Sequence, residues 1–403
     1  MTRELPVVDL AALGFDGGAH VLLKLALADR RAGEEVGVSG THPDLLGQIV
    51  AWCRQQGHRC RAAGPDLAPI VAVVERGSAV GARWAGAERS GRSDPAGEGA
   101  VVDRPPPSWG LAARGAAIEP GGPASEFRLD RRTDVWTDRA PDLYAQAAAA
   151  QWDPAAVDWA ATISHGPRVE AAVVQVMTFL VENEEAALVV PARFLGQVHP
   201  HFREIQQALA ITVADEARHI EVFTRRATIT GGDLALSSAG GRASLQTLLD
   251  EPDYAVAMFL LSVMGEGTFV SLLTFLARHA PDPITREIAQ LTRTDEARHV
   301  AFSLDHLARH AAIDPHLRPR LARAVERRHS ALQHTSGLND DVFDALVLLA
   351  AGDDTPGAIA AGWRHVQTLQ AEMADGRRAR LTRLGFTPTE AETIASLHTR
   401  NFM

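Results

Sequence analysis

Two copies of one short pattern hold the residues best suited to chemistry in this chain. Thr212-Val-Ala-Asp-Glu-Ala-Arg-His219 and Thr292-Arg-Thr-Asp-Glu-Ala-Arg-His299 share T-x-x-D-E-A-R-H, eighty residues apart. A bare E-x-x-H says little in a chain with 16 histidines, and Glu326-Arg-Arg-His329 reads as a chance example on a charged face. Accidental recurrence of the whole D-E-A-R-H pentapeptide is on the order of one in a thousand. On a helix, residues three apart share a face, so Glu216 with His219, and Glu296 with His299, can approach one metal cluster from one side. Glu216 follows Leu209 and Val213 on an inward stripe and precedes Ile220 and Phe223. Carboxylates buried there without partners would be costly, and bound cations would offset the cost. A pair of salt-bridged helices would account for Asp215 and Arg218. It would leave two Glu and two His facing apolar side chains.

Each E-x-x-H then needs a bridging carboxylate from the helix before it. Glu266 lies 30 residues before Glu296, alone among Phe259, Val263, Phe269 and Val270. Its counterpart falls in Val181-Glu-Asn-Glu-Glu-Ala-Ala-Leu188. Glu184 shares a face with Met177, Leu180, Val181, Ala187 and Leu188; Glu185 is the runner-up, and Glu182 falls on a more polar face. Hard carboxylates with imidazole suit two ions of iron, or manganese, rather than a soft metal.

Four Glu and two His, drawn as one Glu from each of two helices and E-x-x-H from the other two, are the ligand pattern of ferritin-like di-iron carboxylate proteins. Over Ala140–His310 the chain resembles ribonucleotide reductase small subunits, multicomponent monooxygenase hydroxylases and related oxygenases. The resemblance implies that Asp215 and Asp295 hydrogen-bond the ligand histidines, with Arg218 and Arg298 completing the network. It also implies an oxidase or oxygenase that activates O2 with an electron donor yet to be identified. Its substrate would be a small organic molecule, undergoing hydroxylation, N-oxygenation or desaturation. The alternative is a ferroxidase or iron store without an organic substrate. The only tyrosines are Tyr144 and Tyr254, the latter over three turns from Glu266, which departs from the radical-generating subunits. Gly265 and Gly267 flank Glu266, making room either for oxygen or substrate or for close helix packing, and Pro191 predicts a kink.

The elements that must position these groups are legible. From about Ala140 the text is rich in Ala, Leu, Arg and Glu, all good helix formers. Pro167, Pro200, Pro252 and Pro283 open helical segments, Gly231-Gly232 closes one, and Thr387-Pro388-Thr389-Glu390 is a capping box. Four helices between Pro167 and His310 predict a ferritin-like bundle. Further helices after Asp314 would wall a pocket or form a homodimer interface. Tyr254 to Ala277 carries Glu266 as its only formal charge, long enough to span a membrane, but it lacks basic flanks and reads as a core helix.

The first eighty residues alternate differently. Pro6–Leu10, Glu35–Ser39 and Pro69–Glu75 read as strands. Gly17–Arg31, with Val21, Leu22, Leu25 and Leu27 inward, and Asp44–Gln56 read as helices, giving a small two-layer α/β sandwich. VVDLAALGFDGGAHVLLKLALADRRAGEEVGV with HPDLLGQIVAWCRQQGH resembles the TusA-type sulfur carriers. Phe15-Asp16 stands where that family has the sulfur-carrying cysteine and a proline, so the resemblance implies docking or regulation. The predicted organisation is a mainly α protein: residues 1–88 α/β, 89–139 a Gly/Pro-rich linker with room for one strand, and 140–403 helical.

Composition narrows the rest. Forty basic against fifty acidic residues give a net charge of −10, opposite to the balance a nucleic-acid binder needs. Two cysteines, Cys53 and Cys60, are too few for a disulfide scaffold and read as packing residues in a reducing cytoplasm. The first residues carry no apolar run of signal-peptide length.

Overall fold

The computed structural model describes residues 5–78, 84–332 and 340–397. Met1–Ala100 with Ala112–Ser125 form one compact unit, and Val101–Leu111 with Glu126–Met403 form another.

In the first unit a four-stranded sheet carries two helices. Strand β1 (Val7–Asp9) runs parallel to β2 (Glu35–Ser39) across helix α1 (Ala19–Ala28). After α2 (Leu45–Gln56), β3 (Arg59–Ala62) and β4 (Ile70–Glu75) complete the order β1-β2-β4-β3, with β4 antiparallel to both neighbours. Alternation puts Val36, Val38, Ala72 and Val74 on one face, where they meet Leu23, Leu27, Ile49 and Cys53. Of the four residues expected inward on α1, only Leu27 is buried. Leu23 and Leu27 point inward, whereas Val21, Leu22 and Leu25 are exposed: the run Val-Leu-Leu-Lys-Leu is apolar on too many sides for periodicity to select a face. Strand β3, read Arg-Cys-Arg-Ala, lies at the sheet edge and has no hydrophobic run to announce it. The stretch read as a linker holds two short strands, β5 (Glu88–Arg89) and β6 (Ala117–Ile118), paired antiparallel.

The second unit is helical. Helix α3 (Arg132–Val135) and α4 (Ala140–Ala149) precede a four-helix bundle. Its members are α5 (Pro167–Leu195), α6 (Arg203–Thr228), the continuous helix Tyr254–His279, and α10 (Pro283–Ile313). The connection between the second and third members is long and carries α7 (Ala239–Leu249), whereas the others are short, the connectivity of ferritin-like bundles. The third helix begins as α8 (Tyr254–Met258), continues as a π-helix over Phe259–Glu266, and ends as α9 (Gly267–His279). It is buried within the unit, as a core helix would be. Asp253, Asp282 and Thr387 cap their helices, the last in the expected capping box with Glu390.

Helices α11 (Leu317–Leu332), α12 (Asp340–Ala351), α13 (Pro356–Arg383) and α14 (Pro388–Ser396) follow. Helix α12 packs on α5 and α13, and α13 packs on α9. One core runs from Val176, Met177 and Leu180 through Phe223, Phe269 and Leu272 to Leu346 and Val366. Near the opening of α5 and α10 the bundle is cross-linked by Arg226, which is fully buried. Its guanidinium donates to both oxygens of Glu170 at 2.8 and 2.9 Å, to Asp282 at 2.7 Å and to Thr285 at 2.8 Å.

Candidate metal centre

Glu184 sits mid-way along α5, and Glu216 and His219 lie one turn apart on α6. Glu266 is the last residue of the π-helix, and Glu296 and His299 lie one turn apart on α10. All six side chains are buried. The structure brings them into two overlapping groups: Glu184, Glu216, His219 and Glu296, and Glu216, Glu266, Glu296 and His299. Within each group one donor atom per residue lies within 4.8 Å of the others. Glu216 and Glu296 belong to both groups, so the carboxylates placed to bridge are those of the repeated motif. Where the sequence predicts Glu184 and Glu266 as the bridging pair, each of them belongs to one group only. The ambiguity on α5 resolves in space: Glu184 is buried and Glu185 exposed. Glu326 is exposed on α11, outside the cluster.

The two histidines are held in one orientation. His219 Nε2 lies 3.1 Å from Asp295 Oδ2, and His299 Nε2 lies 3.2 Å from Asp215 Oδ2. Each aspartate takes the histidine of the opposite repeat. With Nε2–H donated outward, the Nδ1 atoms turn to the carboxylates: His219 Nδ1 is 3.1 Å from Glu216 Oε2 and 3.4 Å from Glu296 Oε1, and His299 Nδ1 is 2.9 Å from Glu216 Oε1. Arg218 contacts both aspartates, and Arg298 pairs with Asp295, as the resemblance implied. Two further members escaped sequence reasoning. Gln151 donates to Asp215 at 2.8 Å, and Trp152 donates to Asp295 at 2.8 Å while its ring stacks near His219. They follow α4 on an irregular segment, and no spacing rule connects them to motifs more than sixty residues away.

Charge and hydrogen bonding test whether metals fit. Glu184 Oε1 and both oxygens of Glu266 and Glu296 are buried without a hydrogen-bond partner. So many orphaned acceptors in an apolar core require a ligand. Six carboxylates against two guanidinium groups leave four negative charges when the imidazoles are neutral, and two divalent cations balance them. Electrostatics of the protein alone point the same way. Burial, then the neighbouring Glu216 and Glu296, push Glu184 well above the usual carboxylate range. Burial and Glu296 do the same to Glu266. At Glu216 burial would act upward, but the two histidines hold the carboxyl low. Burial alone would lower both histidines, yet the facing carboxylates hold them high. A protein without cations satisfies this site only by redistributing protons.

Comparison with known proteins agrees with the geometry. Residues 142–328 match the family described as P-aminobenzoate N-oxygenase AurF, a segment that contains all six cluster residues. Over that segment, somewhat under half of the chain, the protein is similar to this family. With the buried cluster, the likeness marks a non-haem di-iron oxygenase acting on an organic substrate. No curated protein matches the chain. Among solved structures, a mutant R2-like ligand-binding oxidase with an Fe/Fe cofactor is 17% identical, with a TM-score of 0.49 over 62% of this chain and 94% of that one. Another mutant, with a Mn/Fe cofactor, is 18% identical, with a TM-score of 0.46 over the same shares.

Proposed function

We propose that this chain inserts one oxygen atom of O2 into a small aromatic amine at nitrogen. The observation that carries the reading is the coincidence of the buried cluster with the segment matching an N-oxygenase family. In this reading Glu184, Glu216, His219, Glu266, Glu296 and His299 would hold two metal ions, with Glu216 and Glu296 common to both groups of donors. When bound, the two ions supply the redox chemistry that O2 reduction requires.

The chain's own residues do the rest. Asp295 and Asp215 fix the imidazoles so that their Nδ1 lone pairs face inward. Leu180, Val222, Phe223 and Phe269, each one turn along its helix from Glu184, His219 or Glu266, belong to the buried apolar core that keeps water out. Conversion of an amine to a hydroxylamine consumes O2, two electrons and two protons, and releases one water, so an external reductant is a required partner. The N-terminal unit fits docking better than sulfur transfer: Phe15 packs edge-on against Trp52, 5.9 Å between ring centres, at the position where TusA-type carriers have their thiol.

The test is anaerobic loading with Fe2+, reduction, and exposure to O2 with a panel of aminobenzoates and other arylamines. Hydroxylamine or nitro products, with oxygen-18 from O2, are expected. Oxygen uptake that yields only ferric mineral and leaves every amine intact would overturn the reading in favour of iron storage.

A further inference from the structure

Among the described residues, Glu266 is the one cluster member presented by a π-helix. A π-turn widens the helix and leaves carbonyls out of register with the amides that would normally serve them. Here the amide of Gly267 bonds the carbonyl of Ser262, five residues back, instead of Val263, four back. Val263's carbonyl is taken by another helix altogether: Arg380 of α13 donates Nε–H to it at 2.7 Å. The same guanidinium donates to the Gly267 carbonyl at 2.8 Å and to Thr268 Oγ1 at 3.4 Å, and Thr268 passes its own hydroxyl to the Met264 carbonyl at 2.7 Å. The fork therefore grips the backbone on both sides of Glu266.

Gly267 makes this possible. A Cβ there would come within 2.4 Å of Arg380 Nε and 2.5 Å of its Cζ, so any larger residue displaces the guanidinium. Close packing, rather than room for oxygen, is what this glycine provides. Arg380 also lies outside the segment matched to the N-oxygenase family, in the C-terminal helices that a minimal bundle does without.

We propose that Arg380 is a positioning residue for the second metal ion, locking the π-helix so that Glu266 reaches the cluster. This rests on the ligand assignment above. Because Glu266 groups with His299 and not with the Glu184–His219 pair, the clamp should govern one ion and spare the other.

Titration of the full chain with Mn2+, followed by electron paramagnetic resonance of free and bound ion, tests it without turnover. Wild type should bind two ions. Arg380→Ala should weaken the second by about 10- to 100-fold, the usual scale for residues that support ligands, and leave the first unchanged. Arg380→Lys should recover part of the loss. Gly267→Ala should reproduce it although alanine favours the helix by about 1 kcal/mol, which separates positioning from folding. Should Arg380→Ala fail to fold, Gly267→Ala decides alone. Glu266→Ala distinguishes the two layers of argument. If it binds two ions like wild type, the ligand assignment is wrong and the inference falls with it. If it loses one ion while Arg380→Ala and Gly267→Ala keep both, or if those variants lose both ions equally, the clamp is wrong and the assignment stands.

Discussion

Asp215 and His299 lie on different helices, in different copies of the repeat, yet Asp215 Oδ2 sits 3.2 Å from His299 Nε2. Asp295 and His219 repeat the arrangement at 3.1 Å. The motif is thus an exchange device: each copy supplies the carboxylate that fixes the tautomer of the other copy's imidazole. The two aspartates are in turn joined through Arg218, so the halves of the bundle are tied together directly beneath the cluster.

Asp215→Asn tests that exchange. An amide can present its NH2 to His299 Nε2, favouring the tautomer with the proton on Nδ1, where it blocks ligation. Affinity for one ion should fall about 10- to 100-fold with the fold intact, measured by competition with a chromophoric chelator. Unchanged affinity would mean that the aspartate only packs.

The cluster residues make a stoichiometric prediction. His219→Ala and His299→Ala should each reduce bound metal from two ions per chain to about one, by elemental analysis of protein loaded with Fe2+. Glu185→Ala should bind two, because that side chain is exposed, about 100° around α5 from the buried Glu184. A Glu185 variant that loses metal would reverse the choice between them.

The fourfold cross-link at Arg226 predicts acid sensitivity. Burial would raise Glu170 and Asp282, but the Arg226 guanidinium outweighs it and holds both below the usual carboxylate range. A depressed folded pKa contributes stability that is present above the unfolded value, about 4, and is lost as pH falls through the folded one. Arg226→Met should cost about 3 kcal/mol near neutrality, since it removes the cation from buried Asp282 and part-buried Glu170, and less as the pH drops below about 4. Denaturant melts of both proteins from pH 7 to pH 3 read the convergence. Parallel curves would assign the cost to packing alone.

How much of this was legible follows from the physics of each signal. The bundle, its punctuation and the pairing of Glu216 with His219 and of Glu296 with His299 could be read because helical period acts within one turn, while Glu266 and Glu184 stood out as carboxylates on apolar helix faces. The same locality set the limits. Gln151, Trp152 and Arg380 act across the chain from residues they never neighbour in sequence. The π-helix before Glu266 frees the Val263 carbonyl to accept from Arg380, a pairing across the chain that no local propensity encodes. In the α/β unit, the all-round apolar α1 hid its inner face until the sheet chose Leu23 and Leu27.

Metal removal is the broadest prediction. Glu184, Glu216, Glu266 and Glu296 are each buried to within a few per cent of their surface, and oxygens of Glu184, Glu266 and Glu296 find no donor in the protein. Cations that bind the folded chain and not the unfolded one stabilise it by about 2.7 kcal/mol at a hundredfold excess over the dissociation constant. Metal-loaded protein should therefore melt several degrees above the chelator-treated protein, with the gap growing as free metal rises. Protons compete for the same Nδ1 and carboxylate oxygens, so acidification should release the ions and close the gap, and loading an unbuffered sample should release protons. Calorimetry at pH 8 and pH 5.5, with and without Mn2+, measures both effects. Equal melting temperatures with and without metal at pH 8 would show that the carboxylates are satisfied by protons instead, and the cluster would lose its claim to be a metal centre.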